Sequence, residues 1–270
     1  MRQYQKQEKL FRTWLENMDN VDITREIKDK IDYKKHSYLL PLKSSITKEQ
    51  VFVIGGDGFA YDIGYGGLDH VLSKNEDINI LILDTEVYSN TGGQASKSTN
   101  FGATASFANF GKDTYKKDLA RIAMCYPHVY VATVNIGYNM QQYVQVLKEA
   151  TNHKGPSLII AYSPCIEHGI KAGMDNSLSN AYLATKCGYF PIFRYNPATE
   201  EFKLDSKDVE FDKYIDYLMT ENRFANIHNV DKKQASIILE NQKRWAMKRY
   251  NYYKNLQTIN TSSEETVKNN

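Results

Sequence analysis

The sequence has almost no net charge, no long apolar run and few cysteines, and each shortage excludes a class of protein. The 34 lysines and arginines nearly balance 32 aspartates and glutamates, so the charge does not indicate a nucleic acid or a membrane surface as partner. No apolar run approaches the roughly 20 residues of a bilayer span, and the first residues lack the apolar core of a secretion signal. We therefore expect a soluble, intracellular protein.

The three cysteines, Cys125, Cys165 and Cys187, are odd in number and widely spaced. This pattern fits a reducing compartment and provides no self-contained metal site. We expect the cytoplasm or, if the source is an anaerobic eukaryote, an organelle resembling a hydrogenosome.

An early stretch of the chain predicts two neighbouring strands of an α/β sheet. The apolar run Val51–Ile54 breaks into Gly55–Gly58, and the run Ile80–Leu83 breaks into Asp84–Glu86, with a short helix predicted between them. In a doubly wound sheet the carboxyl ends of parallel strands face one crevice. The predicted fold class is therefore α/β, with a doubly wound, mostly parallel sheet.

Around this sheet the sequence predicts three segments: a helical leader at residues 1–45, an α/β domain at 46–195, and a C-terminal helical arm at 196–270 whose last dozen residues are disordered. In the leader, Asp22 or Thr24 is the expected cap of the second helix. Further strands are predicted at residues 129–134, 157–162 and 189–193, the last as a closing edge strand, and further helices at 118–124, 140–150, 177–186, 211–218 and 235–253.

A long loop from Tyr88 to Gly111 is rich in Ser, Thr, Asn and Gly and has no periodicity. Loops of this length inside a compact domain are usually functional, and this one follows a strand end directly. The alternative, a flexible surface insertion, stays open at this point.

The residues at the two strand ends favour a metal-bound diphosphate. A dinucleotide-binding fingerprint fails, because its third glycine would fall on the bulky Tyr61. Asp57, Thr85 and the carbonyl of Val87 instead offer a carboxylate, a hydroxyl and a backbone oxygen, a set suited to Mg²⁺ shared with phosphates. A turn-stabilising role for Asp57 and an ordinary strand-end role for Thr85 remain the alternatives.

These residues also carry a family resemblance. Gly56-Asp57-Gly58, followed by Asp84-Thr-Glu-Val-Tyr-Ser-Asn-Thr-Gly-Gly-Gln94, resembles the thiamine diphosphate motif of pyruvate:ferredoxin (or flavodoxin) oxidoreductases, in their C-terminal portion. Segments similar to the same family occur at residues 54–70, 155–162, 164–169 and 194–197.

The resemblance implies a set of site residues. It makes Asp57, Thr85 and the Val87 carbonyl magnesium ligands, and it implies a catalytic role for Asn90 at the reacting carbon of the substrate. Cys165 resembles a ligand of a 4Fe-4S cluster whose other three cysteines lie outside this chain. The residues that surround the diphosphate by this resemblance are Gly56, Gly58, Ser89 and Asn90.

The activity implied by the resemblance is that of a pyruvate synthase-type oxidoreductase. Pyruvate is oxidatively decarboxylated, coenzyme A takes the acetyl group, and electrons pass through iron–sulfur clusters to ferredoxin or flavodoxin. This chain would supply the magnesium and diphosphate half of the site and would need upstream domains or a complementary subunit, in a complete enzyme that we expect to be dimeric. The alternatives are a non-catalytic remnant or thiamine-binding module, and a related 2-oxoacid oxidoreductase with another acceptor.

Overall fold

The computed structural model describes residues 2–229 and 232–268. The chain divides into two compact units, and the boundary along the sequence falls between Val51 and Phe52. The first unit contains helices α1 (Arg2–Glu16) and α2 (Val21–Lys30), followed by two short 3₁₀ helices.

The first unit has a small apolar core of its own. It is built around the buried side chains of Ile27, Ile31 and Ile46, and the indole nitrogen of Trp14 donates a hydrogen bond to the carbonyl of Ile46 at 2.6 Å. The prediction that Asp22 or Thr24 caps α2 is wrong: the side chain of Asn20 accepts the hydrogen bond from the amide of Ile23, because it stands one residue before the first helical turn.

The second unit is built on a six-stranded sheet in the order β1-β2-β4-β3-β5-β6. The first four strands in that order run parallel, β5 pairs antiparallel with β3, and β6 pairs antiparallel with β5. The predicted α/β class with a mostly parallel sheet is therefore confirmed. The strands are β1 (Phe52–Gly55), β2 (Asn79–Asp84), β3 (Tyr130–Val134), β4 (Ser157–Tyr162), β5 (Phe193–Asn196) and β6 (Glu201–Leu204).

Helices cover both faces of this sheet. Alternate residues of a strand point to opposite faces, so Ile80 and Ile82 of β2 join one core while Leu81 joins another. The helices of the second unit are α3 (Asp57–Tyr61), α4 (Tyr65–Leu72), α5 (Leu119–Ala123), α6 (Met140–Asn152), α7 (Ser177–Lys186), α8 (Tyr214–Leu218), α9 (Asn222–Ala225) and α10 (Lys232–Lys268).

The smaller core contains Leu81 and is formed with the buried face of α6, where Val146 and Ala150 lie. The larger core contains Ile80 and Ile82 and includes residues from α4, α5, α7 and α10. A parallel sheet needs apolar cover on both faces, and these two cores provide it.

The edge of the sheet differs from the prediction at residues 189–193. Tyr189 and Phe190 lie in a loop with buried side chains, and the strand begins only at Phe193. Strand β6 then pairs with β5 and forms the edge. Sequence alone predicted one strand here, because the buried aromatic residues of the loop resemble the apolar run of a strand.

The C-terminal part contains more helices than were predicted, and its last helix, α10, is longer than the one predicted at 235–253. A 3₁₀ turn and α8 replace the single helix expected at 211–218, and α10 is helical to Lys268. The prediction of disorder for the last dozen residues stays a prediction, and the final two residues lie outside the described part. None of the described helices is long and apolar enough to cross a bilayer.

Candidate functional site

The site lies where β1 and β2 end side by side. The two strands are parallel neighbours, with Gly55 paired to Ile82, so the residues that follow each strand emerge at the same edge of the sheet. The amide nitrogen of Thr85 donates to the Oδ1 atom of Asp57 at 3.2 Å, and the Thr85 hydroxyl lies 3.4 Å from the same oxygen. The structure therefore brings these two predicted residues together.

Two further predicted residues join them. The Thr85 hydroxyl lies 3.0 Å from the carbonyl oxygen of Val87, and the hydroxyl of Ser89 lies 2.9 Å from Thr85 Oγ1. Mg²⁺ holds octahedral ligands at about 2.1 Å, which puts neighbouring ligand oxygens about 3.0 Å apart. The Thr85 and Val87 oxygens have that spacing, and the Asp57 and Thr85 oxygens, at 3.4 Å, are slightly farther apart.

The glycines around Asp57 have different surroundings. A Cβ atom added to Gly58 would lie 2.7 Å from a ring carbon of Tyr88, so this position has no room for a side chain. A Cβ added to Gly56 would meet nothing closer than a carbonyl oxygen at 3.9 Å. Backbone at Gly56 is therefore open to close approach by a ligand.

Asn90 lies in a single 3₁₀ turn (Ser89–Thr91) and is exposed. The chain leaves this turn through Gly92, whose φ of +111° is a conformation that residues with a side chain rarely adopt. Asn90 directly follows Ser89 along the chain, and in the described structure its side chain makes no hydrogen bond with Asp57.

The predicted loop from Tyr88 onward folds back onto the strand ends. The hydroxyl of Ser96 donates to Asp57 Oδ2 at 2.8 Å, and Thr99 donates to the backbone carbonyl of Glu86 at 2.5 Å. Ser96 and Thr99 are buried, as is Asn100, so the middle of the loop is packed and is not a flexible surface insertion. Sequence reasoning identified the loop but neither of these two contacts.

Asp57 is buried to 2% exposure, and burial together with the neighbouring carboxylate of Asp84 raises its pKa to about 8. An aspartate of this kind is costly to ionise unless a cation lies beside it. A divalent cation bound by Asp57 would offset that cost and keep the carboxylate charged.

Asp57 is part of a larger buried ionic cluster, which we define as Asp57, Asp84, Glu86, Lys116, Glu221 and Arg223. Lys116 contacts Asp84 at 2.6 Å and Glu86 at 2.7 Å, while Arg223 contacts Glu86 at 2.8 Å and Glu221 at 2.7 Å. Without a cation, Asp57 keeps its proton at neutral pH because its pKa is about 8, and ionising it brings the formal charge of the cluster, four carboxylates against two cations, to −2. A buried excess of negative charge is unfavourable, and one Mg²⁺ would balance it.

Sequence reasoning missed Lys116, Glu221 and Arg223. No role was assigned to these three residues from the sequence, and Glu221 and Arg223 lie between the helices predicted at 211–218 and 235–253, where they pack against the strand ends. Lys116 lies 30 residues from Glu86 along the chain and Arg223 lies 137 residues from it, separations that no periodicity argument can bridge.

Cys165 follows β4 and is buried at 9% exposure, with its Sγ atom 3.4 Å from the hydroxyl of Ser89. The other cysteines are unpaired, Cys125 being exposed and Cys187 buried. Within residues 2–229 and 232–268, no group of three or more His, Cys, Asp or Glu side chains could hold a metal ion by itself. A cluster at Cys165 would therefore need ligands from elsewhere.

His168 has a structural role at this site. Its Nε2 donates to the backbone carbonyl of Thr85 at 2.7 Å, and its Nδ1 accepts from the amide of Cys165 at 3.5 Å, which requires the neutral ring. Burial, reinforced by the positive charge of Arg223, lowers the pKa of His168 to about 3. The ring thus connects the backbone of the two strand-end loops and does not carry a proton at neutral pH.

A polar cleft of about 300 Å³ opens beside Val87. Its lining combines hydroxyl, amide and carboxylate groups with little apolar surface, which suits a small polar ligand. The residues that contribute these groups include Thr104, Ser106, Asn109, Glu167 and Asn222.

Comparison with known proteins agrees with the resemblance that the sequence shows. Residues 35–161 match the family described as "Thiamine pyrophosphate enzyme, C-terminal TPP binding domain". The chain is 42% identical over 259 residues to pyruvate-flavodoxin oxidoreductase of Klebsiella pneumoniae and 43% identical over 262 residues to pyruvate:ferredoxin oxidoreductase of Moorella thermoacetica. The chain is related to the thiamine-diphosphate-binding portion of the pyruvate:ferredoxin (flavodoxin) oxidoreductases. The resemblance seen in the sequence is thereby confirmed.

The match covers most of this chain but little of its relatives. The aligned parts are 91% and 90% of this chain and 22% of each of those two proteins. Pyruvate dehydrogenase [NADP(+)] of Cryptosporidium parvum is 45% identical over 243 residues, which are 85% of this chain and 12% of that protein. The chain therefore corresponds to about a fifth or less of the length of these relatives.

Proposed function

We propose that this chain supplies the magnesium and diphosphate half of the thiamine site in an enzyme that oxidatively decarboxylates pyruvate. The single observation that carries the proposal is the convergence of the buried Asp57 carboxylate, the Thr85 hydroxyl and the Val87 carbonyl, with Thr85 Oγ1 3.4 Å from Asp57 Oδ1 and 3.0 Å from the Val87 oxygen. The family match at residues 35–161 supports the choice of thiamine diphosphate as the ligand.

In this proposal the chain's residues have separate tasks. Asp57, Thr85 and the Val87 carbonyl hold Mg²⁺, which in turn holds the diphosphate; the open backbone at Gly56 and the residues Gly58, Ser89 and Asn90 surround that diphosphate. Asn90 also contacts the reacting carbon of pyruvate. Thiamine diphosphate, when bound, supplies the nucleophilic carbon and the electron sink for decarboxylation.

The remaining parts of the reaction require groups outside this chain. We propose that Cys165 is one ligand of a 4Fe-4S cluster, because its thiol lies 3.4 Å from Ser89 and hence beside the proposed diphosphate site. Upstream domains or a complementary subunit would provide the other three cysteines, the coenzyme A site and the contacts with ferredoxin or flavodoxin. The complete enzyme would be a dimer in the cytoplasm, in keeping with three unpaired cysteines.

A second candidate differs in the electron acceptor. The chain is as similar to the Cryptosporidium parvum protein named for NADP(+) as to the flavodoxin and ferredoxin proteins, at 45% identity against 42% and 43%. The residues of the proposed site belong to the decarboxylation half of the reaction and do not select the acceptor. Reduction of NADP⁺ by the assembled enzyme, in place of ferredoxin, would favour this candidate.

The test begins with the purified full chain. Isothermal titration with thiamine diphosphate in excess Mg²⁺ should show binding that is lost when Mg²⁺ is chelated and lost in Asp57→Asn. The matched control is Asp69→Asn, an aspartate whose partner is the hydroxyl of Tyr126 and which does not contact the proposed site. Equal binding by all three proteins would contradict the proposal.

The second step separates an enzyme part from a binding module. The chain alone should not reduce a dye with pyruvate, and the complementary upstream polypeptide should restore the reaction. Binding of the cofactor without restored turnover would instead support a non-catalytic remnant or a thiamine-binding assembly module.

A further inference from the structure

Glu86 stands between two of the proposed magnesium ligands and has a strained backbone. Its φ of +59° lies in the left-handed region that a residue with a long side chain rarely adopts. Strand β2 ends at Asp84, and the turn at Glu86 brings the carbonyl of Val87 back to 3.0 Å from the Thr85 hydroxyl. An extended residue at this position would carry the chain away from that hydroxyl.

The surrounding contacts are sufficient to hold this conformation. The Glu86 carboxylate is fully buried, and each of its oxygens has a cationic partner, Lys116 at 2.7 Å for Oε1 and Arg223 at 2.8 Å for Oε2. Two neutral donors complete its surroundings: the amide of Asn100 at 3.0 Å and the hydroxyl of Tyr189 at 2.5 Å.

The backbone of Glu86 is held as well, because its carbonyl accepts the hydroxyl hydrogen bond of Thr99. Both ends of the residue are thus fixed in one geometry.

We infer that Glu86 is a positioning residue for the metal site: its buried carboxylate, held by Lys116 and Arg223, maintains the left-handed turn that aims the Thr85 hydroxyl and the Val87 carbonyl at one cation. This inference rests on the proposed function, since it concerns the same magnesium site. Glu86 itself does not contact the metal. It acts through the two residues on either side of it.

The test measures metal binding and needs no enzymatic turnover. Mn²⁺, whose ligand preference resembles that of Mg²⁺, is titrated into the full chain in the presence of thiamine diphosphate, and free Mn²⁺ is followed by electron paramagnetic resonance. Glu86→Gln keeps the shape of the side chain and removes its charge. We expect a loss of about 10-fold or more in Mn²⁺ affinity, in the range seen when residues that support metal ligands are replaced.

The matched control is Asp205→Asn. Asp205 contacts Arg194 at 2.8 Å in a partly buried ion pair outside the cluster, so its loss should lower stability as a general structural defect does. Mn²⁺ affinity should be unchanged in this control. An equal loss of affinity in both variants would mean that general destabilisation explains the effect, and the inference would then be wrong.

A milder variant covers the case in which Glu86→Gln fails to fold. Tyr189→Phe keeps the ring and removes the hydroxyl that donates to Glu86, 103 residues away along the chain. We expect roughly a threefold loss of Mn²⁺ affinity, since Glu86 loses one of its two neutral donors and the Tyr189 hydroxyl no longer accepts from Asn100 and Arg223. If the wild-type chain binds no Mn²⁺, the proposed function fails. If the wild type binds and both folded variants bind as tightly, only the positioning role of Glu86 is overturned.

Discussion

Replacing Asp57 by asparagine should have opposite effects on stability with and without magnesium. The folded-state pKa of Asp57 is about 8, against an ordinary value of 3.8, so between these two values the folded chain holds a proton that the unfolded chain has released. Folding stability from this group is therefore greatest at low pH and falls as pH rises from 3.8 towards 8.

The magnitude follows from that shift. Each pH unit in this window costs about 1.36 kcal/mol, so three units between pH 5 and pH 8 cost up to about 4 kcal/mol. The measured loss of stability should lie between about 2 and about 4 kcal/mol, because the nearby carboxylates of Asp84 and Glu86 rearrange when Asp57 ionises and offset part of the cost. Asparagine carries no charge and removes this pH dependence.

The assay is urea unfolding of wild type and Asp57→Asn at pH 5 and pH 8, followed by far-ultraviolet circular dichroism. In a chelator, the free energy of unfolding of the variant should rise relative to that of the wild type as pH rises. With Mg²⁺ and thiamine diphosphate at pH 8 the order should reverse, because only the wild type is stabilised by binding. Asp69→Asn should show the same pH and Mg²⁺ dependence of its unfolding free energy as the wild type. A variant that is less stable than wild type in chelator at pH 8 would refute the reasoning.

Three further predictions concern residues around the site. His168, with a pKa of about 3, must take up a proton to unfold below its ordinary value of 6.5, so acid should destabilise the wild type over that range, and His168→Gln should unfold with a weaker dependence on pH between 6 and 4. Gly58→Ala should cost about 1 to 3 kcal/mol in urea unfolding, because its methyl group would press on the ring of Tyr88, and a cost near zero would show that the ring moves freely. Arg223→Met should cost about 3 to 5 kcal/mol, since it leaves the buried carboxylate of Glu221 without Arg223 and removes one of the two cations beside Glu86, and a small loss in thermal or urea unfolding would contradict the view that these charges are fixed.

The sequence by itself determined the fold class and the location of the proposed site. Apolar runs that end in Gly-Asp-Gly and Asp-Thr-Glu specify two strands whose carboxyl ends lie at one sheet edge. Two parallel strands joined by a crossover helix have their carboxyl ends on the same side of the sheet. The predicted helix at 140–150 and strands at 129–134 and 157–162 correspond closely to α6, β3 and β4, where local period and burial agree.

Only the tertiary structure decided which distant residues support that edge. Lys116, Glu221 and Arg223 lie in segments whose local pattern is that of ordinary polar helix or loop. The pairing of Lys116 and Arg223 with Glu86, and of Arg223 with Glu221, depends on how the loop and the C-terminal helices fold back on the sheet. The left-handed turn at Glu86 could not be predicted from the sequence either, since a glutamate between two strand-end residues gives no indication of a positive φ. Local sequence encodes periodicity and turn chemistry, whereas charge pairing between remote segments depends on distances that exist only after the chain has folded.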